Sequence, residues 1–185
     1  MKYTHLTQRD YVVSHWSGGK TTQLAIFPEG AVYADRDFIW RISSATAEID
    51  ESDYTALPDY ERLIAVFDRP IRLQHDGGEI ITLQPYDVHR FDGAAATHSW
   101  GRCVDFNLML RKGRAEGEMR ALTIDGKAEI ETANADTLLI YCAEGEGKVA
   151  SVAFGAGEAV LIGQIDEERF TLHGTGRFVV AGVRC

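Results

Sequence analysis

Cysteine is scarce in this 185-residue chain: Cys103, Cys142 and Cys185 form no CxxC pair, and an odd count closes no disulfide framework. That pattern fits a reducing compartment. The opening stretch, MKYTHLTQRDYVVSHW, lacks the continuous apolar run of a secretion signal. The longest apolar runs, such as Phe178–Val183, are far shorter than a bilayer-spanning segment. The expected location is therefore the cytoplasm, with no membrane partner. Basic charge is also in short supply. Against 28 Asp and Glu stand 19 Lys and Arg, a formal net charge of −9 spread along the chain. Binders of nucleic acid present a basic face, so no nucleic acid is expected as a partner.

Catalytic and cofactor fingerprints are missing too. The histidines (His5, His15, His75, His89, His98 and His173) contain no H-x-H pair, and their spacing suggests no three or four convergent ligands, so no metal is expected. No G-x-S-x-G and no dinucleotide fingerprint occurs, and no cofactor is expected. Cys103 has no neighbouring base in the sequence and reads as a small buried thiol. Asp50-Glu51 and Asp166-Glu167-Glu168 read as solvated turn residues. No catalytic residue is assigned.

What the chain does contain is short β-rich segments separated by turn chemistry, in a composition that is 45% hydrophobic and 25% charged, ordinary for a globular protein. Strands are predicted at Tyr11–Val13, Thr22–Phe27, Phe38–Ser43, Arg62–Phe67, Ile71–His75, Glu79–Leu83 and Val104–Leu110. Further strands follow at Lys127–Glu131, Thr137–Ala143, Val149–Phe154, Ala159–Ile162, Glu168–His173 and Arg177–Val183. Asp76-Gly77-Gly78 is a hairpin signal, and Glu144–Gly147 is a second, similar one. Arg111–Leu122, charged and glycine-punctuated, reads as a linker with room for a short helix around Ala115–Arg120. Many short strands at this spacing predict a sandwich or barrel. LIAVF (Leu63–Phe67) and LQPYDVHRF (Leu83–Phe91) recur in pattern as LLIYC (Leu138–Cys142) and FGAGEAVLI (Phe154–Ile162). That offset of roughly seventy residues is one jelly roll's worth of strands.

Three clusters carry polar groups in unusual settings. Trp16-Ser17-Gly18-Gly19-Lys20-Thr21-Thr22 is either an anion nest of backbone N–H groups or a tight turn between strands; its adjacent glycines do not make a Walker A loop. In Phe38–Ser43 the two-residue period puts Arg41 on one face with Ile39 and Ser43. A guanidinium in an apolar strand is costly to bury unless paired, so it forms a structural salt bridge or grips a carboxylate. In Val104–Met109, Asp105, Asn107 and Met109 share a face. That face is either an exposed strand surface or a polar ladder inside a barrel.

Taken together, WSGGKTTQLA (Trp16–Ala25), FIWRISSA (Phe38–Ala45), YTALPDYER (Tyr54–Arg62), RFDG (Arg90–Gly93) and VDFNLMLRKG (Val104–Gly113) resemble the HutD/Ves family in order and spacing. The likeness covers the first ~113 residues through motifs close to W-x-G-G-x-T, W-R-[LI]-S-x-A and D-x-N-x-M. It departs at Ser17, where the family often has asparagine, and at Tyr54-Thr55, where it commonly has Phe-Ser. The resemblance implies an all-β bicupin, two tandem double-stranded β-helix (jelly-roll) barrels, with an N-terminal half at 1–113 and a C-terminal half at 114–185. It further implies a pocket built from Trp16, Thr22, Arg41, Arg62, Asp105 and Asn107. Trp16 would be an aromatic wall, Arg41 or Arg62 the anion contact, and Asp105 with Asn107 would orient the arginine or meet a ligand amide. The expected partner is a small carboxylate metabolite: HutD proteins are associated with histidine utilisation, where a formylated or formimino glutamate is a suggested ligand, and Ves proteins with stress response. Two other readings stand beside this one: an isomerase or hydrolase using Asp105 or His89, and an interaction module. Cupins commonly self-associate, so a homodimer is the assembly the resemblance suggests.

Overall fold

The computed structural model describes all of Met1–Cys185 and is built almost wholly of strands. In chain order these are β1 (Lys2–Leu6), β2 (Val12–Trp16), β3 (Gly19–Phe27), β4 (Trp40–Ala47), β5 (Glu51–Asp53), β6 (Tyr60–Val66), β7 (Ile71–His75) and β8 (Ile80–Leu83). They continue with β9 (Val88–Asp92), β10 (Thr97–Trp100), β11 (Cys103–Arg111), β12 (Glu116–Glu131), β13 (Thr137–Val149), β14 (Val152–Gly155), β15 (Ala159–Gly163) and β16 (Arg169–Arg184). One 3-10 turn spans Tyr33–Asp35. No helix is long and apolar enough to cross a membrane.

The chain divides into two compact units, Val12–Ala115 and Met1–Tyr11 with Glu116–Cys185. The division falls between Ala115 and Glu116, and the first eleven residues group with the C-terminal strands. There β1 adds antiparallel to β15, and Tyr3 and Met1 pack on the apolar cluster of that unit. Its single sheet runs β1-β15-β13-β16-β12, with β14 paired to β13. The linker expected at Arg111–Leu122, with room for a short helix around Ala115–Arg120, is largely strand instead: Glu116–Glu131 is one long strand, paired residue for residue with β16. The hairpin expected at Glu144–Gly147 is likewise a stretch of strand with a bulge between Cys142 and Glu144, and the chain reverses later, at Ala150 with φ 51°.

The Val12–Ala115 unit holds two sheets, β5-β10-β7-β8 and β2-β3-β4-β11-β6-β9. The expected turn at Asp76-Gly77 is present: both residues have positive φ, 51° and 69°, and the Gly78 N–H donates to the His75 carbonyl at 2.8 Å. The two strands of the first repeated motif, β6 and β9, pair antiparallel, as do β13 and β15 of the second. Apolar residues from both sheets fill the interior: Ile64 and Val66 from β6, Ile71 and Leu73 from β7, Leu83, Phe91 and Cys103. A second cluster joins Phe38, Leu57, Tyr60 and Met109, with Phe38 and Tyr60 stacked at 4.3 Å and the Tyr60 hydroxyl donating to the Phe38 carbonyl at 2.8 Å. Each large side chain so buried contributes about 1.5–3 kcal/mol. That apolar packing is what lets the same enclosure tolerate charged groups between the two clusters.

Candidate functional site

Strand register stacks the interior residues of the six-stranded sheet in rows. Thr21, Ala45, Asp105 and Val66 form one row; Gln23, Ser43, Asn107, Ile64 and His89 the next; Ile26, Arg41, Met109, Arg62 and Phe91 another. Alternate residues share a face, so Arg41 with Ser43, and Asp105 with Asn107 and Met109, all point the same way. They line a cavity of about 290 Å³ whose wall also includes Ser14, Trp16, Thr21, Tyr33, Tyr54, Ser99 and Cys103. This is the lower end of the size range for small-molecule sites.

Five of the six expected site residues line this cavity: Trp16, Arg41, Arg62, Asp105 and Asn107. Thr22 does not. It pairs with Ser44 on the opposite face, and the threonine that reaches the cavity is Thr21, the sixth position of the W-x-G-G-x-T motif. The double glycine is the bend of the β2–β3 hairpin. A Cβ on Gly19 would lie 1.8 Å from the Thr46 carbonyl oxygen, and one on Gly18 would lie 2.1 Å from the Trp16 ring. The tight-turn reading therefore accounts for this segment, and Gly18 is the seat of the Trp16 indole. Gly18→Ala is expected to eject that ring into solvent, giving a red shift in tryptophan emission that Trp16→Phe removes; unchanged emission would show that the indole does not rest there.

Arg41 is 4% exposed. Its Nε donates to Gln23 Oε1 at 2.8 Å, and its guanidinium carbon lies 4.1 Å from the Tyr33 ring centroid. Burial is the main reason its pKa falls to about 10, and the nearby Arg36 and Arg62 charges push the same way. Of the two roles expected for Asp105 and Asn107, orienting the arginine or meeting a ligand amide, the first is taken for Arg41 by Gln23 and Tyr33. Gln23 escapes a sequence reading because the bulge between Gln23 and Ala25 breaks the alternation of β3.

Arg62 is equally enclosed, at 8% exposure, and its Nε has no hydrogen-bond partner. Nη1 reaches the Thr55 carbonyl at 3.4 Å, and the rings of Tyr54 and Phe91 each lie 5.1 Å away. Burial lowers its pKa, partly offset by Tyr54. No ion pair includes Arg41, Arg62 or Asp105. Two guanidiniums therefore sit in one enclosure without an acid bound to either.

Asp105 Oδ1 accepts from the Ala45 N–H at 3.2 Å and from Asn107 Nδ2 at 2.6 Å. Burial pushes its pKa up to about 7 against the pull of those two hydrogen bonds and of Arg62. Burial also pushes the Cys103 thiol up to about 12, which favours its protonated form.

A polar pair that the sequence does not reveal lies outside the cavity lining. His75 Nε2 and His89 Nε2 are 2.9 Å apart, and His75 Nδ1 lies 2.8 Å from Thr97 Oγ1. Phe91 stacks on both imidazoles, and burial lowers both pKa values. His89, one candidate acid–base residue, thus faces another histidine rather than the cavity. No three of His, Cys, Asp and Glu come together in a group that could hold a metal ion.

Comparison with known proteins settles the fold. The conserved protein of unknown function PA5104 from Pseudomonas aeruginosa PAO1 superposes with a TM-score of 0.89 at 20% identity, covering 100% of both chains. HutD from Pseudomonas fluorescens SBW25, solved in a formate condition, gives 0.81 at 22% identity over 98% of each. The bacterial pirin YhhW of Escherichia coli, in complex with nickel(II), gives 0.69 at 11% identity over 98% of each. The architecture is thus the jelly-roll bicupin expected from the motifs. The residues of this chain do not supply the convergent ligand set that a bound metal needs. No curated protein matches the sequence. The family profile described as HutD matches residues 8–180, and the chain belongs to the HutD family.

Proposed function

We propose that this protein binds a small carboxylate metabolite in the cavity of its Val12–Ala115 unit and acts as a metal-free binding or regulatory protein. One observation carries the reading: the buried Arg62 Nε has no hydrogen-bond partner. Leaving a buried charged donor unpaired costs more than a neutral one, and a planar fork is best satisfied by a carboxylate. Arg41, held by Gln23 and Tyr33 with its remaining donors unpaired to any acid, supports the same ligand. The formate condition of the Pseudomonas fluorescens HutD structure is in keeping with it. A formylglutamate-type ligand, the class suggested for the family, has carboxylates for the arginines and an amide for the Asp105–Asn107 pair.

A thermal-shift screen with acidic amino-acid derivatives tests this. A true ligand at a hundredfold its Kd stabilises by about 2.7 kcal/mol, and the shift grows with concentration. Arg41→Ala is expected to lose most of that shift. No stabilisation by any of these compounds, or an equal shift in the variant, contradicts the proposal.

Asp105 favours a second reading. A carboxyl group poised near neutral pH inside a cavity is suited to acid–base chemistry, so an isomerase or hydrolase acting on the same metabolite is the alternative. Product formed by wild type and lost in Asp105→Asn would establish it.

A further inference from the structure

We infer that the cavity takes up its carboxylate ligand together with a proton, carried on Asp105 Oδ2, which then donates a hydrogen bond to a ligand oxygen. The inference rests on the carboxylate reading above and adds the chemistry of the cavity's far end. Oδ1 is fully used, accepting from Ala45 N–H and Asn107 Nδ2, whereas Oδ2 receives no hydrogen bond from the protein. The two arginines lie in the row of Met109, four residues along the strand from Asp105. The enclosure therefore has a cationic end and a carboxyl end, and a ligand anchored on the guanidiniums extends towards Oδ2.

An ionised Asp105 would meet a ligand oxygen as like charge against lone pair. The protonated carboxyl supplies the missing donor. Other titratable and charged groups face the same cavity. From the neighbouring elements these are Arg41 on β4, Arg62 on β6, Tyr33 on the 3-10 turn, Asp53 and Tyr54 at the end of β5, and Cys103 on its own strand. Asp68, tied to the Val104 N–H at 2.7 Å, acts against ionisation, and Arg62 acts for it. β2, β3 and β10 contribute only the uncharged Ser14, Thr21 and Ser99 to this side, besides Trp16.

The sign follows from linkage. Burial by the protein alone holds the Asp105 pKa near 7, and an acceptor oxygen beside Oδ2 raises it further. Binding then draws a proton from solution, and affinity falls by up to about tenfold per pH unit above neutrality until the complex too deprotonates. The same donor disfavours a ligand that presents an ammonium at this end.

Calorimetric titration with glutarate across pH 6–9, in HEPES and in Tris, measures this directly. The two buffers differ in ionisation enthalpy, so the heat difference counts protons. At pH 7.5 wild type is expected to take up between about a half and three quarters of a proton per glutarate, with Kd weakening as pH rises. Asp105→Asn keeps a donor amide at that end and is expected to bind with no linked proton and a flat pH profile. Wild-type binding without proton uptake, or with release, overturns the inference and leaves the carboxylate site standing. Uptake that persists in Asp105→Asn places the proton elsewhere and overturns it equally. Absence of glutarate binding at every pH, in both proteins, rejects the carboxylate site itself and the inference with it.

Discussion

Arg62→Met is expected to make the ligand-free protein more stable by about 1–3 kcal/mol while weakening carboxylate binding about thirtyfold or more. The first effect follows from what Arg62 lacks. Its Nε is buried without a partner, no carboxylate is within ion-pair reach, and its only hydrogen bond is a long one to Thr55. Replacing a poorly compensated buried charge by an apolar side chain of similar length is commonly neutral or stabilising by about 1–4 kcal/mol. Methionine keeps an apolar, polarisable side chain beside the rings of Tyr54 and Phe91, over which the guanidinium now lies. For a chain of this size the gain corresponds to a Tm rise of about 2–12 °C. The loss of binding follows because a desolvated, charge-assisted hydrogen bond to a ligand is worth about 2–5 kcal/mol. A lower Tm together with unchanged affinity would show that Arg62 is a structural residue, held by contacts stronger than those to Thr55, Tyr54 and Phe91.

The second large effect concerns pH. The folded-state pKa of Asp105, about 7, lies above the usual carboxylate value of 3.8. Below about pH 4 the group is protonated folded or unfolded, and its contribution to stability is fully present. Between about pH 4 and 7 the folded protein binds the extra proton, so stability declines as pH rises through this window, and it stays at the lower level above it. The drop attributable to this one residue is on the order of 2–4 kcal/mol, since a tenfold difference in proton affinity between the folded and unfolded chains corresponds to about 1.4 kcal/mol. Asp105→Asn preserves an oxygen to accept from Ala45 and Asn107 and has no charge to bury. Chemical denaturation at pH 4 and pH 8 is therefore expected to find the variant close to wild type at pH 4 and markedly more stable at pH 8. Equal pH dependence in the two proteins would mean that Asp105 ionises without penalty.

Much of the fold could be read from the sequence because its signals were local. The Asp76-Gly77 hairpin, the β7 strand and the alternation of Arg41 and of Asp105 with Asn107 all depend on neighbours a few residues apart. What the sequence hid was set by distant strands. β16 runs unbroken through Gly174 and Gly176, where two separate strands, Glu168–His173 and Arg177–Val183, are predicted. A Cβ on Gly176 would lie 1.9 Å from the Glu144 carbonyl oxygen, so that glycine marks close strand approach instead. The start of β12 reads as a linker because its charges and glycines break the two-residue alternation; it is an edge strand, paired with β16 on one side. In the site, one residue of register separated Thr22 from the true lining residue Thr21, a slip that sends a side chain to the other face. Gln23, Tyr33 and the His75–His89 pair were invisible because each acquires its role only across strands or from the 3-10 turn.

The most direct test of the carboxylate site is a crystal of this protein soaked with glutarate. The expected result is a carboxylate inside the Val12–Ala115 cavity with one oxygen accepting from Arg62 Nε and the ligand's second end near Asp105. Glutarate found only on the outer surface, with Arg62 Nε still lacking a partner, would contradict it.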